Sequence, residues 1–567
     1  MLSGNRCITR KGFDKFVDYI PFVSAVNNAI DGIQRRVFKG KADPSEYQRH
    51  MLDKSWKKCL LFSIPFAKII YKIWERIKSR NEPRVEPVRQ EPVPPVIDRM
   101  EIVERINRER IPIRDLLREY NVSVFDLTEW LGPEACQRLE YLDLTEIPLP
   151  LDGLTHFIER VPNVRHYLGV GLMQQQFREI IGWRDLETVH VSNSPHLSQD
   201  SLQALNRLPN LVSLSVDGLA QLRGNLQGLH DCPNLRSLSI NGCVNLDADA
   251  LGVLEHCPEL EVLHFDDCKQ IDDLEFLQYL PNLRSLHMDN CNQVPADSLI
   301  LTQNFEELHF NNCNQLDPDT LIHLLPHCER LRSLHVDGCY QLAAQSLQPL
   351  QNRTFLRELH IDRTSFEANV LSVLRNSFWL RSLSIRELAA LEEDALDVLQ
   401  FCSELEFLQI TESRVTGQGL GLRPDSLNVL AHCPKLKELD MQSCPSFEAN
   451  MLQVLENCPE LETLRISNLD QLDPNALAVL EHCPNLQSLS ILRCPSLHPN
   501  SLNALEHCPH LKHLWIGLCN HLNPASLNVL LELMELKSVD ITASAGLSAA
   551  VDRMRGTLNP RRCIVKT

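Results

Sequence analysis

The sequence lacks an opening leader, a long apolar run and the short motifs that mark most enzyme active sites. Residues Met1–Lys15 are charged and contain no apolar core segment, so no secretory signal is expected. The most hydrophobic stretch, Cys59–Ile77, is interrupted by Pro65, Lys68, Lys72 and Arg76 and is too short to span a bilayer. No Walker loop, G-x-S-x-G, H-E-x-x-H or strand–G-x-G-x-x-G–helix pattern occurs. The glycines of Gly417-Gln-Gly419-Leu-Gly421 fall inside an insertion, where no phosphate-cradling turn is expected. These absences point away from an enzyme, and they call for no cofactor and no metal.

Charge narrows the partners. With 74 Asp and Glu against 56 Lys and Arg the net charge is −18, and it is unevenly spread. Residues 1–80 hold 17 basic against 7 acidic side chains, a net of +10, which leaves −28 on the remainder. So acidic a remainder is a poor nucleic-acid binder, because attraction to phosphate dominates that affinity. A protein partner, basic if anything, fits better, and no nucleic acid is expected.

What the chain has in abundance is one repeated phrase. Counted from the first leucine of an L-x-x-L-x-[IVFM] core, it begins at Leu186, Leu211, Leu235, Leu260, Leu283, Phe305, Leu331 and Leu356. It continues at Leu380, Leu405, Leu436, Leu461, Leu486, Leu511 and Leu536. Most intervals are 24 or 25 residues, and the step from 405 to 436 is 31 because of the glycine-containing insertion. A fixed period of this size is the signature of a stacked solenoid. Within a phrase, Leu238 and Ile240 alternate with polar residues as in a half-buried strand, while Leu251 and Leu254 take the i, i+3 spacing of a short helix. Asp247, Asp317, Asp473 and Asn523 precede that helix, three of them followed by Pro, and are suited to cap it. Strands then form one parallel sheet on the concave side, with helices on the convex side.

Of 20 cysteines, 17 keep register with the repeat: one set, such as Cys243 and Cys268, follows the strand, and another, such as Cys232 and Cys257, closes the helix. Thr364, Leu388 and Leu219 stand at the same register, which argues for buried free thiols acting as small apolar residues rather than for disulfides. Free thiols point to a reducing, cytoplasmic compartment.

The phrase C-P-x-L-x-x-L-x-I-x-x-C-x-x-L, as in Cys483–Leu497, resembles the leucine-rich repeat family, and in particular its cysteine-containing subtype found in F-box substrate receptors of ubiquitin ligases and in bacterial effectors. The resemblance implies an α/β solenoid, a horseshoe used as a protein-binding scaffold. Its alternative implication is a ubiquitin-ligase substrate receptor, or a secreted effector acting on host ubiquitination. The segments Tyr19–Ser24 and Leu61–Phe66 are similar to N-terminal pieces of proteins from chlamydia-like bacteria, which fits the effector version.

Five regions are expected along the chain. Residues 1–80 form a basic, partly apolar helical region in which Phe66, Ile69, Ile70, Ile73, Trp74 and Ile77 share one helical face. That face suits either the core of a small domain or peripheral contact of residues 60–77 with an anionic membrane. Residues 81–98 are a proline-rich linker. Residues 99–135, with helical stretches at Met100–Leu117 and Val122–Leu131, provide an N-terminal cap, or an F-box in the ligase version. The array occupies 136–545, its first two rungs degenerate, and 546–567 form a C-terminal cap with one short helix and an edge strand.

The residue between Leu and Ile of each strand points outward. In this column His264, His287, His309, His335 and His360 occupy five consecutive rungs. Two residues on stand Asp266, Asp289, Asn311, Asp337 and Asp362. Such a double ladder is compatible with a polar binding face, with a pH-responsive partner site, or with divalent-metal binding. Parallel side chains do not converge on a tetrahedral site, so metal is the least favoured. Phe407, Arg465 and Trp515, with Arg493 and His513 near them, suggest a second contact area, since interface hot spots favour these residue types.

Overall fold

The computed structural model describes residues 98–566, apart from 121, 125, 146, 148–150, 225, 295–304, 367–368, 389–390, 413–421, 445–446 and most of 543–562. The basic N-terminal helix, the proline-rich linker and the insertion glycines therefore lie outside the described residues. Described structure opens with four helices: α1 (Arg99–Glu109), α2 (Ile113–Tyr120), α3 (Leu127–Leu131) and α4 (Pro133–Arg138). The helical stretch expected over Met100–Leu117 is two helices. Arg110 takes a left-handed φ of 53° at the end of α1, and Pro112, which cannot donate a helical hydrogen bond, starts the next. Asp98 caps α1 through the Met100 N–H at 2.9 Å.

Eighteen strands follow. They are β1 (Tyr141–Asp143), β2 (His166–Val170), β3 (Thr188–Ser192), β4 (Ser213–Ser215), β5 (Ser237–Ser239) and β6 (Val262–His264). Next come β7 (Ser285–His287), β8 (Glu307–His309), β9 (Ser333–His335), β10 (Glu358–His360), β11 (Ser382–Leu388) and β12 (Phe407–Glu412). The last are β13 (Glu438–Gln442), β14 (Thr463–Ser467), β15 (Ser488–Leu492), β16 (His513–Gly517), β17 (Ser538–Thr542) and β18 (Ile564–Lys566). Each pairs in parallel with its neighbours in chain order, giving one 18-stranded sheet. This is a leucine-rich-repeat solenoid: a parallel concave sheet, short helices behind it and helices at its N-terminal end. The degenerate rungs anticipated from Leu139–Leu144 and Val164–Leu168 are β1 and β2, and the final segment adds β18 to the edge.

Register carries the packing. Leu238, Leu263, Leu286, Leu308, Leu334 and Leu359 align strand to strand, and all are buried. The helices behind the sheet are mostly 3₁₀, for example Ala248–His256, Val370–Asn376 and Ser501–His507. The i, i+3 spacing of Leu251 and Leu254 is the natural period of such a helix, whose three residues per turn fit a short repeat better than an α-helix does. Asp247, Asp317 and Asn523 cap their helices as expected, accepting N–H bonds of 3.1, 2.9 and 2.9 Å. Asp473 accepts the Asn475 N–H at 2.7 Å, just ahead of Ala476–His482.

The 18 described cysteines are all buried and free. Most of those after the strands reach a carbonyl of the preceding rung, as in Cys268 Sγ to Ile240 O at 3.2 Å, Cys313 to Met288 at 3.0 Å and Cys339 to Phe310 at 2.9 Å. Burial pushes their thiols well up, Cys243, Cys291 and Cys339 to about 12, so they are protonated and able to donate.

Just before this cysteine position runs a column that sequence periodicity did not flag. Asn193, Gly218, Gly242, Asp267, Asn290, Asn312, Gly338, Arg363, Glu387, Ser443, Asn468, Arg493 and Leu518 all have φ between 47° and 74°. The left-handed turn aims the residue's N–H at the next rung, as in Asp267 to Asp289 O at 2.7 Å and Gly338 to Asp362 O at 2.7 Å. Gly, Asn and Asp tolerate this conformation, whereas Leu518 and Arg493 are strained there by roughly 1–2 kcal/mol. We expect Leu518→Gly to raise the urea midpoint of unfolding by about 0.5–1 kcal/mol of stability, after allowing for glycine's extra freedom in the unfolded chain. Gly338→Ala should lower it by at least as much, because a Cβ there would meet Asn312 Oδ1.

Candidate functional site

The concave face is built by side chains that leave the strands opposite to the buried leucines. In-register pairing places His264, His287, His309, His335 and His360 directly beside one another. Their rings stack face to face, with centroid separations of 3.9, 3.7, 3.9 and 4.0 Å and interplanar angles of 8 to 13°. Each contact adds roughly 0.5–1.5 kcal/mol beyond its buried area. At the far end Phe407 lies 6.3 Å from His360. Serines on β11 leave room for this reach across an intervening strand.

The ring edges differ. His309 Nε2 stands 3.4 Å from Ser333 Oγ, and His360 Nε2 stands 3.0 Å from Ser382 Oγ. His335 Nε2 lies 3.6 Å from Glu358, too long for a hydrogen bond, and neither it nor His287 Nε2 has a hydrogen-bond partner among the described residues. Glu358 is nonetheless held below the usual carboxylate range, first by the His335 ring beside it and also by the hydroxyl of Ser333.

Burial sets the protonation of the stack. His309 is pushed down to about 2, His287 to about 3 and His360 to about 4, in each case by loss of solvent first and by neighbouring imidazoles second. His264 is shifted down by burial against the pull of Asp217, Glu307 and Asp289. These four rings are neutral at pH 7. The rings stack rather than converge, and among the described residues no group of three or more His, Cys, Asp or Glu is placed to hold a metal ion.

The parallel Asp column has a different job from the one its exposure in sequence suggests. Each side-chain oxygen accepts the backbone N–H of the next rung: Asp217 from Asn241 at 2.8 Å, Asn241 from Asp266 at 2.7 Å and Asp266 from Asp289 at 2.8 Å. The series continues from Asp289 to Asn311 at 2.7 Å, Asn311 to Asp337 at 2.8 Å, Asp337 to Asp362 at 2.7 Å and Asp362 to Arg386 at 2.7 Å. The ladder extends the sheet's hydrogen bonding past the short strands. Asp362, only 1% exposed, is held by Ser384 and the Arg386 guanidinium, so it positions its neighbours and does not face outward. Burial raises Asp266 and Asp337 to about 6 against the pull of these N–H donors, and burial raises Asp289 as well.

The second group is placed on the same sheet but is not gathered into one cluster. Phe407 adjoins the stack, Arg465 is exposed and paired with Glu438, and Trp515 is 47% exposed with its Nε1 donating to Thr542 Oγ1 at 3.0 Å. His513 bonds Ser538 Oγ at 2.8 Å, and Arg493 sits at a strained turn position. One feature escaped the sequence reasoning. Phe355, Phe378, Trp379 and Phe401, each 37 to 56% exposed, occupy successive rungs ahead of β10, β11 and β12. The signal was present, since Cys-Pro-x gives way there to Arg353-Thr-Phe355 and Ser377-Phe-Trp379.

No protein-family model matches the chain, and no curated protein matches it. Among solved structures it is similar to an internalin of Listeria monocytogenes, at 19% identity over 65% of this chain and 88% of that one, with a TM-score of 0.40. It is also similar to yeast Rad7, solved in complex with Elc1, at 17% identity over 86% and 95% of the two chains with a TM-score of 0.37. A leucine-rich-repeat protein of Leptospira interrogans gives 15% identity, 76% and 97% coverage and a TM-score of 0.37. At such identities and TM-scores these likenesses bear on no ligand or activity.

The opposed shifts of imidazole and carboxylate make a pH prediction. An unfolded histidine titrates near 6.5, so below that pH the unfolded chain takes up protons that His309 refuses, and stability falls as the pH drops. Asp337 runs the other way, taking up a proton in the folded state between about 6 and the unfolded carboxylate value, which adds stability on acidification. His309→Gln should therefore flatten the loss of stability between pH 6.5 and 5 by on the order of 1 kcal/mol, and Asp337→Asn should steepen it. Urea midpoints at the two pH values check both; parallel profiles in all three proteins would refute the assignment.

Proposed function

We propose that the chain is a protein–protein interaction scaffold of the cysteine-containing leucine-rich-repeat type, gripping a basic protein partner on its concave face. The observation that carries this is charge segregation across one continuous surface. At the outward positions from β3 to β10, and two residues past them, stand Asp217, Asp266, Asp289, Glu307, Asp337 and Glu358, with no Lys or Arg. From β11 onward the same columns mix Arg386 and Arg465 with Phe407, Trp515, Glu438 and Asp440. Like-signed carboxylates on a face where the imidazoles of His264, His287, His309 and His360 are neutral attract and orient a basic surface. The aromatics further along supply apolar anchors.

The helices over 99–138 act in this scheme as an end cap. Ile102, Val103, Ile106, Ile113 and Leu116 are buried in the solenoid core, which leaves few apolar side chains there for a ligase adaptor. Among the described residues no helix is long and apolar enough to cross a membrane.

Affinity capture with the full chain, followed by mass spectrometry, identifies the partner, and substitution then locates it. Glu307→Lys with Glu358→Lys should weaken the captured complex about tenfold and reduce its salt dependence, and Trp515→Ala should weaken it by roughly 1–2 kcal/mol. Binding that survives both and is lost instead on substituting the helical side would refute the concave-face assignment.

A further inference from the structure

A column of charge runs along the rim where each helix leads into its strand, one residue past the first leucine of the repeat. Each N–H in it bonds the carbonyl at the same position one rung earlier, from Arg236, Glu261, Arg284 and Glu306 through Arg332, Arg357 and Arg381 to Glu406, Lys437 and Glu462. Signs alternate along this column except at one place, where Arg332, Arg357 and Arg381 follow one another. The outer two are answered by the flanking glutamates, Arg332 Nη1 at 3.0 Å from Glu306 and Arg381 Nη1 at 3.3 Å from Glu406. Both glutamates are shared, Glu306 with Arg284 at 3.6 Å and Glu406 with Lys437 at 2.9 Å. Arg357 is exposed between them and has no ion pair among the described residues. The next carboxylate in the chain, Glu358, turns instead to Ser333, whose Oγ donates to it at 3.2 Å.

The same rungs depart from the repeat a second time. Where most rungs enter the strand through Pro and a polar residue, those of β10 and β11 carry Thr354-Phe355 and Phe378-Trp379, and the three rings are 48 to 56% exposed. Phe355 and Arg357 flank buried Leu356, and Trp379 and Arg381 flank buried Leu380, so each of these rungs sets an aromatic two residues from an arginine. Like charges on adjacent rungs, about 4.8 Å apart, repel one another, and half-exposed rings stay in contact with water. Neither departure helps the isolated solenoid to fold. Both residue types are concentrated at interfaces, where arginine and aromatic side chains dominate the binding energy.

Charge selects the occupant. The basic run covers three rungs, about 10 Å, and Glu306 and Glu406 close it at its two ends. A phosphate backbone or an anionic lipid surface extends past both ends and meets those glutamates. Residues 1–80 of this chain, with a net charge of +10, have the wrong sign. A few carboxylates on a polypeptide fit within the run, one of them held bidentately by the unpaired guanidinium of Arg357. We propose that this rim is a docking site for an acidic segment of a partner protein, whose carboxylates meet Arg357 between Arg332 and Arg381 and whose bulky apolar side chains cover Phe355, Phe378 and Trp379. The site lies off the concave face and selects the opposite charge, so it stands or falls apart from the basic partner proposed above.

The test uses the full-length protein and unlabelled peptides in isothermal titration calorimetry. The probe peptide alternates Asp and Glu with Leu and Phe; one control carries Asn and Gln in place of the acids, and a second carries Ser in place of Leu and Phe. The probe should bind about tenfold more tightly than either control. Arg357→Glu restores the alternation of the column, so it should keep or raise the thermal midpoint while weakening the probe about tenfold or more. Phe355→Ser combined with Trp379→Ser should weaken it about fivefold. Arg236→Gln, in the evenly paired part of the same column, should leave the affinity unchanged. No binding of the probe, equal binding of either control, or full affinity in the Arg357 or the aromatic variant would overturn the docking site. A loss on Arg236→Gln as large as that on Arg357→Glu would reduce it to diffuse attraction, and a lowered midpoint in Arg357→Glu would make Arg357 a residue of the fold; either result overturns the proposal. So would tighter binding of oligouridylate or of phosphatidylserine vesicles through the same residues, which would make the rim a polyanion surface.

Discussion

Everything in this protein follows from parallel strands paired in register, one rung after another, at a nearly constant spacing. A three-residue strand makes too few backbone bonds to hold a sheet together by itself. From β5 to β9 the chain supplements it three times per rung. The left-handed residue turns its N–H into the next rung, the Asp or Asn beside the strand accepts another N–H from that rung, and the cysteine thiol donates back to a carbonyl of the rung before. Each device works only if its neighbour has the same geometry. The repeat is therefore less a duplicated unit than a condition each rung imposes on the next.

That condition explains which parts of the molecule were legible in the sequence. The period, the buried leucines, the helix caps and the outward column could all be counted off, because they depend on residue identity at fixed spacing. The Asp column could be placed but not interpreted. Its carboxylates look like surface charge in sequence, and only the structure shows them accepting backbone N–H groups, with Asp362 fully enclosed. The 3₁₀ character of the helices was implicit in Leu251 and Leu254. It was hidden because i, i+3 pairs occur on α-helices too. The left-handed column was hidden for a different reason: Arg363, Glu387, Arg493 and Leu518 break the Gly/Asn/Asp pattern that would reveal it.

Stacking also decides what the histidines can be. Rings less than 4 Å apart cannot all be charged, since neighbouring imidazoles and burial both oppose protonation. Phenylalanines would stack as well but would make an unbroken greasy stripe on an open face. Neutral imidazole keeps the planar contact and adds nitrogen edges that meet Ser333 and Ser382. The stack is thus a rigid ridge with polar flanks. Such a ridge holds its shape, with little conformational entropy left to lose on contact.

Both ladders stop at the same rung. On β11 the histidine is replaced by Ser384 and the carboxylate by Arg386, whose backbone N–H takes the last ladder bond while its guanidinium closes on Asp362. The strand is longer there, its register slips between Arg386 and Leu388, and Glu387 carries the left-handed turn. Phe407 then crosses the gap left by the β11 serines to cover His360. One rung thus ends the carboxylate run, seals the stack and begins the mixed aromatic and arginine surface. A face assembled from interchangeable rungs would change character gradually. A face whose chemistry changes at a single rung, with dedicated side chains finishing each column, has two adjoining surfaces of different chemistry.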